Sequence, residues 1–316
     1  MSERLRGKSL WYARKLRWYK NLMKWHLGNI LSKNEPKIIC DALKKIAVET
    51  RYGNDLFSWH NFFQYIQAIN FAKNTERLNV GLEIGTGYST LLLPQIKRDN
   101  NRIFSMDARP IKDFEIRGYL EAVQDHIEFI NEFSVTTTEL KSFYNGETHG
   151  VFLDTDSIRL RECVPHFIRD YRSDVYWRDL GLNESEKDLT ERILEKLFDD
   201  DNRLRCFSAL FPARFRTDIG FAAPDGRNAL DELIKEVGYF DFVFFDSGEL
   251  PSMIEWMKLK GHIRQGGLAV FHDIYFPKSI KNFLVCASIY CSPEWEIIYQ
   301  DASTPQGLMV ARKIAR

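Results

Sequence analysis

The chain has 316 residues, enough to bury one large core or two smaller ones. Apolar residues make up 44% and charged residues 28%, an ordinary globular composition, and no apolar run approaches the roughly 20 residues that span a bilayer. The net charge is zero, whereas a nucleic-acid enzyme spreads positive charge over its working face, so no nucleic-acid partner is expected.

The opening MSERLRGKSL has no apolar signal-peptide core. Residues 1–33 hold nine Lys or Arg against one acid, Glu3, so they carry +8 and the rest carries −8. Leu5, Tyr12, Leu16, Tyr19, Met23, Leu27 and Ile30 recur at helical spacing. Trp11, Trp18 and Trp25 form a second series with basic residues between them. Two readings stand for this head. It lies on an anionic membrane surface, or it packs on its own domain or on a second subunit of a homo-oligomer. The five cysteines (Cys40, Cys163, Cys206, Cys286, Cys291) are scattered, with no CxxC pair. Neither zinc nor a disulfide framework is expected, and a reducing cytoplasm is the simplest home, with membrane association if the head binds lipid.

Residues 1–54 read as an N-terminal helical region, and helices continue to residue 74. Strand and helix then alternate. NVGLEI (79–84), RIFSMD (102–107) and HIEFIN (126–131) are predicted strands. YSTLLLPQIK, FEIRGYLEAV (114–123) and VTTTELKSFY (135–144) are predicted helices between and after them. This spacing means a parallel sheet with right-handed crossovers. Residues 146–227 break the pattern and read as an insertion, a lid or acceptor-binding subdomain, with a charged helix over 185–201.

Alternation resumes with a helix over 228–238, a strand FDFVFFD (240–246), a helix over 254–263 and a strand GGLAVFHD (266–273). After a helix over 279–290 come two strands, WEIIYQ (295–300) and GLMVARK (307–313), joined by a turn. So short a link requires antiparallel pairing. GVFLDTDS (150–157) also looks like a strand ending in acids. FVFFD is preferred as the fourth strand because GGLAVFHD follows it after one helix. The expected fold is therefore α/β: a doubly wound, mostly parallel, seven-stranded Rossmann-like sheet with a C-terminal antiparallel hairpin. Its core is 55–145 and 228–316.

The stretch GLEIGTGYST (81–90) ends the first of these strands in a glycine loop. Gly85 and Gly87 let the chain turn and let a ligand touch the backbone, and the next helix offers free N–H groups. As a dinucleotide fingerprint the match is partial, because Thr90 stands where the third glycine belongs. An NAD-linked oxidoreductase is one alternative. A non-catalytic protein that docks on a membrane or partner through its basic head is another.

With Glu83, Gly85 and Gly87 in the spacing acid-x-Gly-x-Gly and Ser89 in the following glycine position, the chain resembles the class I S-adenosylmethionine-dependent methyltransferases. The wording EIGTGYST is similar to bacterial small-molecule O-methyltransferases of the catechol-type and family 24 groups. The terminal hairpin belongs to that family and is absent from ordinary dehydrogenase domains. The resemblance implies that Glu83, Gly85 and Gly87 surround the methionine part of S-adenosylmethionine, with Thr86 and Ser89 in the same loop. It implies that Asp107, 22 residues after Gly85, holds the ribose hydroxyls, and that Glu132 or Phe133 lies near the adenine.

Ligands in such sheets sit beyond the carboxyl ends of the strands. FVFFDS delivers Asp246 there, and LAVFHD delivers His272 and Asp273. In catechol-type relatives, acids at these positions bind Mg²⁺. Here an imidazole stands in one of the three places, and Mg²⁺ favours oxygen ligands. His272 is accordingly assigned as general base, with Asp246 and Asp273 binding metal or orienting the acceptor. His60 reads as a packed helix histidine, with the pocket entrance as the alternative; His149 and His166 fall in the insertion, where the sequence does not place them; Asp154 and Asp156 read equally as substrate contacts or turn caps. FDSGEL stands where nucleic-acid amino-methyltransferases carry [ND]PP[YF]. That points to oxygen on a small-molecule, sugar or lipid-linked acceptor.

Overall fold

The computed structural model describes residues 56–147, 157–171, 186–211, 213–224, 228–274, 280–301 and 306–314. The basic head, Cys40, His149, Asp154, Asp156 and the strand-like VFLDTD lie outside the described residues.

Seven strands form one sheet: β1 (Val80–Ile84), β2 (Arg102–Met106), β3 (Glu128–Ile130), β4 (Phe240–Phe245), β5 (Ile263–His272), β6 (Trp295–Asp301) and β7 (Leu308–Lys313). Their spatial order is β3-β2-β1-β4-β5-β7-β6. The first five are parallel, and β7 runs antiparallel to both β5 and β6. This is the expected Rossmann-like sheet with its hairpin, and FVFF is its fourth strand, paired with β1. The last strand does not stand at the edge. Leu308, Met309, Val310 and Ala311 are all buried, so β7 needs cover on both faces, whereas most of β6 is only half-buried.

The central strands alternate between two cores. Val243, Phe245, Ala269, Phe271, Met309 and Ala311 face one side. Phe242, Phe244, Leu268, Val270, Leu308 and Val310 face the other. The period of two with both faces apolar is what a sheet covered by helices on each side requires. On the second face lie the helix Leu56–Lys73 and the residues Leu91, Leu92, Leu93 and Ile96. On the first lie the helices Ser157–Tyr171, Glu186–Leu197 and Glu249–Leu259, with Leu160, Phe167, Ile193 and Trp256 in the shared core. The described helices of 146–227 thus join the core on this face, Ser157–Tyr171 packing on Phe283–Tyr290 and Glu186–Leu197 packing on Ser157–Tyr171.

Two local expectations change. STLLLPQI (Ser89–Ile96) is a 3₁₀ helix and not an α-helix. Pro94 has no N–H to donate and its ring crowds the preceding turn. Residues 114–123 yield only the short helix Arg117–Glu121. Elsewhere side-chain caps close two helix starts. Thr136 and Glu139 form a capping box, and Asn228 caps the helix Ala229–Val237 before Gly238 at φ 75°.

The cysteine reading is corrected. Cys163, on the helix Ser157–Tyr171, is disulfide-bonded to Cys291, just past the helix Phe283–Tyr290, at a sequence separation of 128. The two helices pack against each other through Phe167 and Phe283, which brings the distant cysteines together. Among the described residues, no helix is long and apolar enough to cross a membrane.

Candidate functional site

The loop after β1 is fixed from below by Glu83. This side chain is fully buried, and its carboxylate accepts hydrogen bonds from Ser89, Thr90 and Ser105. The Thr90 hydroxyl also accepts from the Gly87 N–H at 2.9 Å, so one threonine ties the loop to the buried acid. Thr86 joins the network through Ser105, 2.8 Å away. Burial pushes the Glu83 carboxyl up to about 7, against the three hydroxyls that favour its charged form. Gly85 has φ 100°, and a Cβ there would meet the Asp246 carbonyl oxygen at 2.2 Å. Its glycine is required by the approach of the β1 and β4 ends. Gly87 differs, since a Cβ there would meet nothing within 4 Å.

Beyond this loop lies a cavity of about 370 Å³, within the size range of small-molecule sites. Gly85, Thr86, Gly87, Tyr88 and Ser89 form one wall. Asp107 comes from the end of β2, and Glu132 and Ser134 from the end of β3. Asp246 and Ser247 come from the end of β4. Asp107 is oriented by its neighbour. Its Oδ1 accepts from the Arg109 N–H at 2.8 Å and from Arg109 Nε at 3.2 Å. Arg109 in turn lies 4.3 Å over the Phe114 ring. Phe221 reaches the cavity from the segment 219–224. That segment is held beside the β3 end by Ala223 N–H to Val135 O (2.8 Å) and Thr137 N–H to Ala223 O (2.7 Å).

A second buried acid, Glu255, also lines the cavity. It sits on the helix Glu249–Leu259 and accepts from Ser134 and Ser247, each at 2.5 Å. Burial raises its carboxyl to about 7, offset in part by those two hydroxyls.

The β4 and β5 ends assemble a charged cluster. Asp246 accepts from Lys281 Nζ at 2.6 Å, from His272 Nδ1 at 3.3 Å and from the Tyr65 hydroxyl at 3.3 Å. Lys281 also reaches Asp273 at 3.2 Å. His272 is 4% exposed, its ring lies 5.1 Å from that of Tyr65, and its Nε2 has no hydrogen-bond partner. Burial opposes the charge on Asp246, but Lys281 and His272 outweigh it and hold the carboxyl well below the usual range. Burial likewise opposes the imidazolium of His272, yet Asp273 and Asp246 win and raise its pKa. Asp273 adopts φ 58°, a left-handed conformation that Asp tolerates and that turns the chain sharply off β5.

Asn282 locks this corner. It is fully buried, and its amide donates to His272 O at 2.6 Å and to Phe245 O at 3.3 Å. Its own oxygen accepts from Ser252 at 2.7 Å. One side chain therefore bridges the ends of β4 and β5.

The predicted residues sort as follows. Gly85, Thr86, Gly87, Ser89, Asp107, Glu132 and Asp246 line the one cavity. Glu83 stands behind the loop and holds it. His272 and Asp273 adjoin Asp246, away from the cavity wall. His166 is exposed, and the His60 side chain lies outside the described residues. Tyr65, Glu255, Lys281 and Asn282 were not singled out by sequence. Asp246, His272 and Asp273 could offer ligand atoms within 4.8 Å of one another to a metal ion. As the cluster stands, that set does not fit a divalent ion, because the Lys281 ammonium already lies between the two carboxylates.

No protein-family model matches the sequence, and no curated protein does. Several solved structures are similar. Rv0187 from MTB, in a cofactor-bound structure, is 15% identical with a TM-score of 0.42, covering 93% of this chain and 97% of that one. The O-methyltransferase from Bacillus cereus, in complex with SAH, is 13% identical with a TM-score of 0.38, covering 92% and 97%. The O-methyltransferase TomG from Streptomyces achromogenes, involved in tomaymycin synthesis and in complex with SAM, is 11% identical with a TM-score of 0.38, covering 93% and 96%. These superpositions are loose, and the fold rests on the strand order and register described above.

Proposed function

We propose that the chain is an S-adenosylmethionine-dependent O-methyltransferase acting on a small-molecule, sugar or lipid-linked hydroxyl. The observation that carries this reading is the cavity whose wall runs from the glycine loop through Asp107 to Asp246. The lining suits the cofactor. Gly87 leaves open space where a side chain would intrude. The Asp107 carboxylate, steadied by Arg109, can accept both hydroxyls of a ribose. Glu132 and Ser134 lie at the end where an adenine would rest. The sheet with its terminal hairpin agrees with the same reading.

When bound, S-adenosylmethionine supplies an electrophilic methyl on a sulfonium centre. The chain must then place an acceptor hydroxyl and take its proton. We assign the second task to His272: its Nδ1 is held toward the cavity-lining Asp246, so Nε2, buried and off the cavity wall as the cluster stands, receives the proton when local opening brings it to the acceptor. Asp246 remains ionised at all ordinary pH, which favours a cationic centre and an imidazolium beside it. Phe221, on the segment 219–224, covers one side of the cavity. In this reading the region 146–227 serves as lid and acceptor-binding subdomain.

Calorimetric titration of the full chain with S-adenosylhomocysteine tests the assignment. Micromolar binding at a single site is expected. No measurable heat would overturn it.

A further inference from the structure

We propose that the Lys281 ammonium is the resident cation of the Asp246–Asp273 pair, and that the protein binds no divalent metal ion there. The inference goes beyond the methyl-transfer reading and does not rest on it.

Three observations carry it. First, the position is taken. Lys281 Nζ stands 2.6 Å from Asp246 and 3.2 Å from Asp273, with its side chain 6% exposed. An ion at Mg²⁺ distance from both carboxylates would fall within a few ångströms of that nitrogen.

Second, the lysine is built in. Lysine is almost never fully buried unless paired, and this one is anchored on both flanks. Ile280 N–H donates to Glu249 Oε2 at 3.0 Å. Asn282 N–H donates to Asp273 O, and the Asn282 amide bridges Phe245 O and His272 O. The backbone at 280–282 therefore cannot swing away without opening the β4–β5 corner.

Third, the ammonium takes up charge that a divalent ion would need. Lys281 contacts both carboxylates, so the pair offers an ion a net charge of −1 and not −2. Lys281 is a positioning residue in this scheme. It acts through Asp246, which lines the cavity, by keeping that carboxylate ionised and in place.

The test uses EDTA-treated full-length protein titrated with Mn²⁺ and followed by electron paramagnetic resonance, which reads bound ion directly. Wild type is expected to show no site that Asp273→Asn removes. Lys281→Met, which leaves two carboxylates without their cation, is expected to gain Mn²⁺ affinity by at least about tenfold, and Lys281→Arg to behave as wild type. If Lys281→Met does not fold, wild type with and without Asp273→Asn still decides. Micromolar Mn²⁺ binding by wild type that Asp273→Asn abolishes overturns the proposal. So does a folded Lys281→Met that gains no affinity. Calorimetry with S-adenosylhomocysteine is independent of both outcomes, so the two readings fail separately.

Discussion

Replacing Glu83 by Gln should change the pH dependence of stability by a calculable amount. The Glu83 carboxyl is fully buried and its pKa is raised from 4.5 to about 7. A raised acid pKa means that the folded state binds the proton more tightly than the unfolded state does. Between pH 4.5 and 7 the folded chain therefore holds more protons, and stability falls as pH rises. With these two pKa values the linked loss is about 0.8 kcal/mol at pH 5 and about 3.3 kcal/mol at pH 8.

Gln cannot ionise, so it lacks this term. Other titrating groups are common to both proteins and cancel in the difference. Going from pH 5 to pH 8, Glu83→Gln should therefore gain about 2.5 kcal/mol relative to wild type. The absolute offset is separate, because Gln recreates fewer of the bonds from Ser89, Thr90 and Ser105. Urea unfolding of both proteins at the two pH values measures the effect. A difference that stays constant within about 0.5 kcal/mol would refute the claim that Glu83 is a desolvated acid beneath the loop.

Asp107→Ala should weaken S-adenosylhomocysteine binding about 10- to 100-fold by calorimetry, the worth of charge-assisted hydrogen bonds to the ribose; unchanged affinity would remove Asp107 from the site. His272→Ala should lower kcat about 10²- to 10⁴-fold while sparing cofactor affinity, as loss of a general base does. Because the neutral imidazole is the base and its pKa is raised, kcat/KM should rise with pH through a midpoint above that of an ordinary histidine. Asp273→Asn removes one cause of the rise and should move that midpoint down. Asn282→Ala should cost about 1–3 kcal/mol in urea unfolding, since it strips the buried His272 and Phe245 carbonyls of a donor; a loss below about 0.5 kcal/mol would show that the clamp is dispensable.

The sheet was legible because its signals are local. Each strand is a short apolar run, the crossovers have normal length, and two strands with a brief link had to form a hairpin. The glycine loop and the acids at strand ends were legible for the same reason. What sequence could not show was assembled by tertiary packing. Tyr65 sits among other aromatics in HNFFQYIQAINF, and nothing local marks it as the one that reaches Asp246. Glu255 stands in a predicted helix with no motif around it. Its helix is buried on nearly every side from Leu250 to Trp256, so no periodic face warned of it. Lys281 lies eight residues beyond Asp273 and returns to it only because Asn282 docks on two strand ends. Cys163 and Cys291 carry no motif; their helices bring them together. Pro94 is visible in YSTLLLPQIK, but the first turn of an α-helix also tolerates proline, so the residue alone does not mark a 3₁₀ helix.

The position of β7 has a consequence for biosynthesis. Synthesis delivers β6 first, yet among the described residues β6 has no partner in the sheet except β7. Until residues 308–313 leave the ribosome, the edge of β5 from Leu268 to His272 is an open ladder beside a half-formed cluster. The strand that closes it also pairs with His272 through Leu308. The nascent chain thus carries an unsatisfied, apolar edge until β7 has been made. A truncation before residue 308 would delete an interior strand from the working half of the molecule and not a dispensable tail.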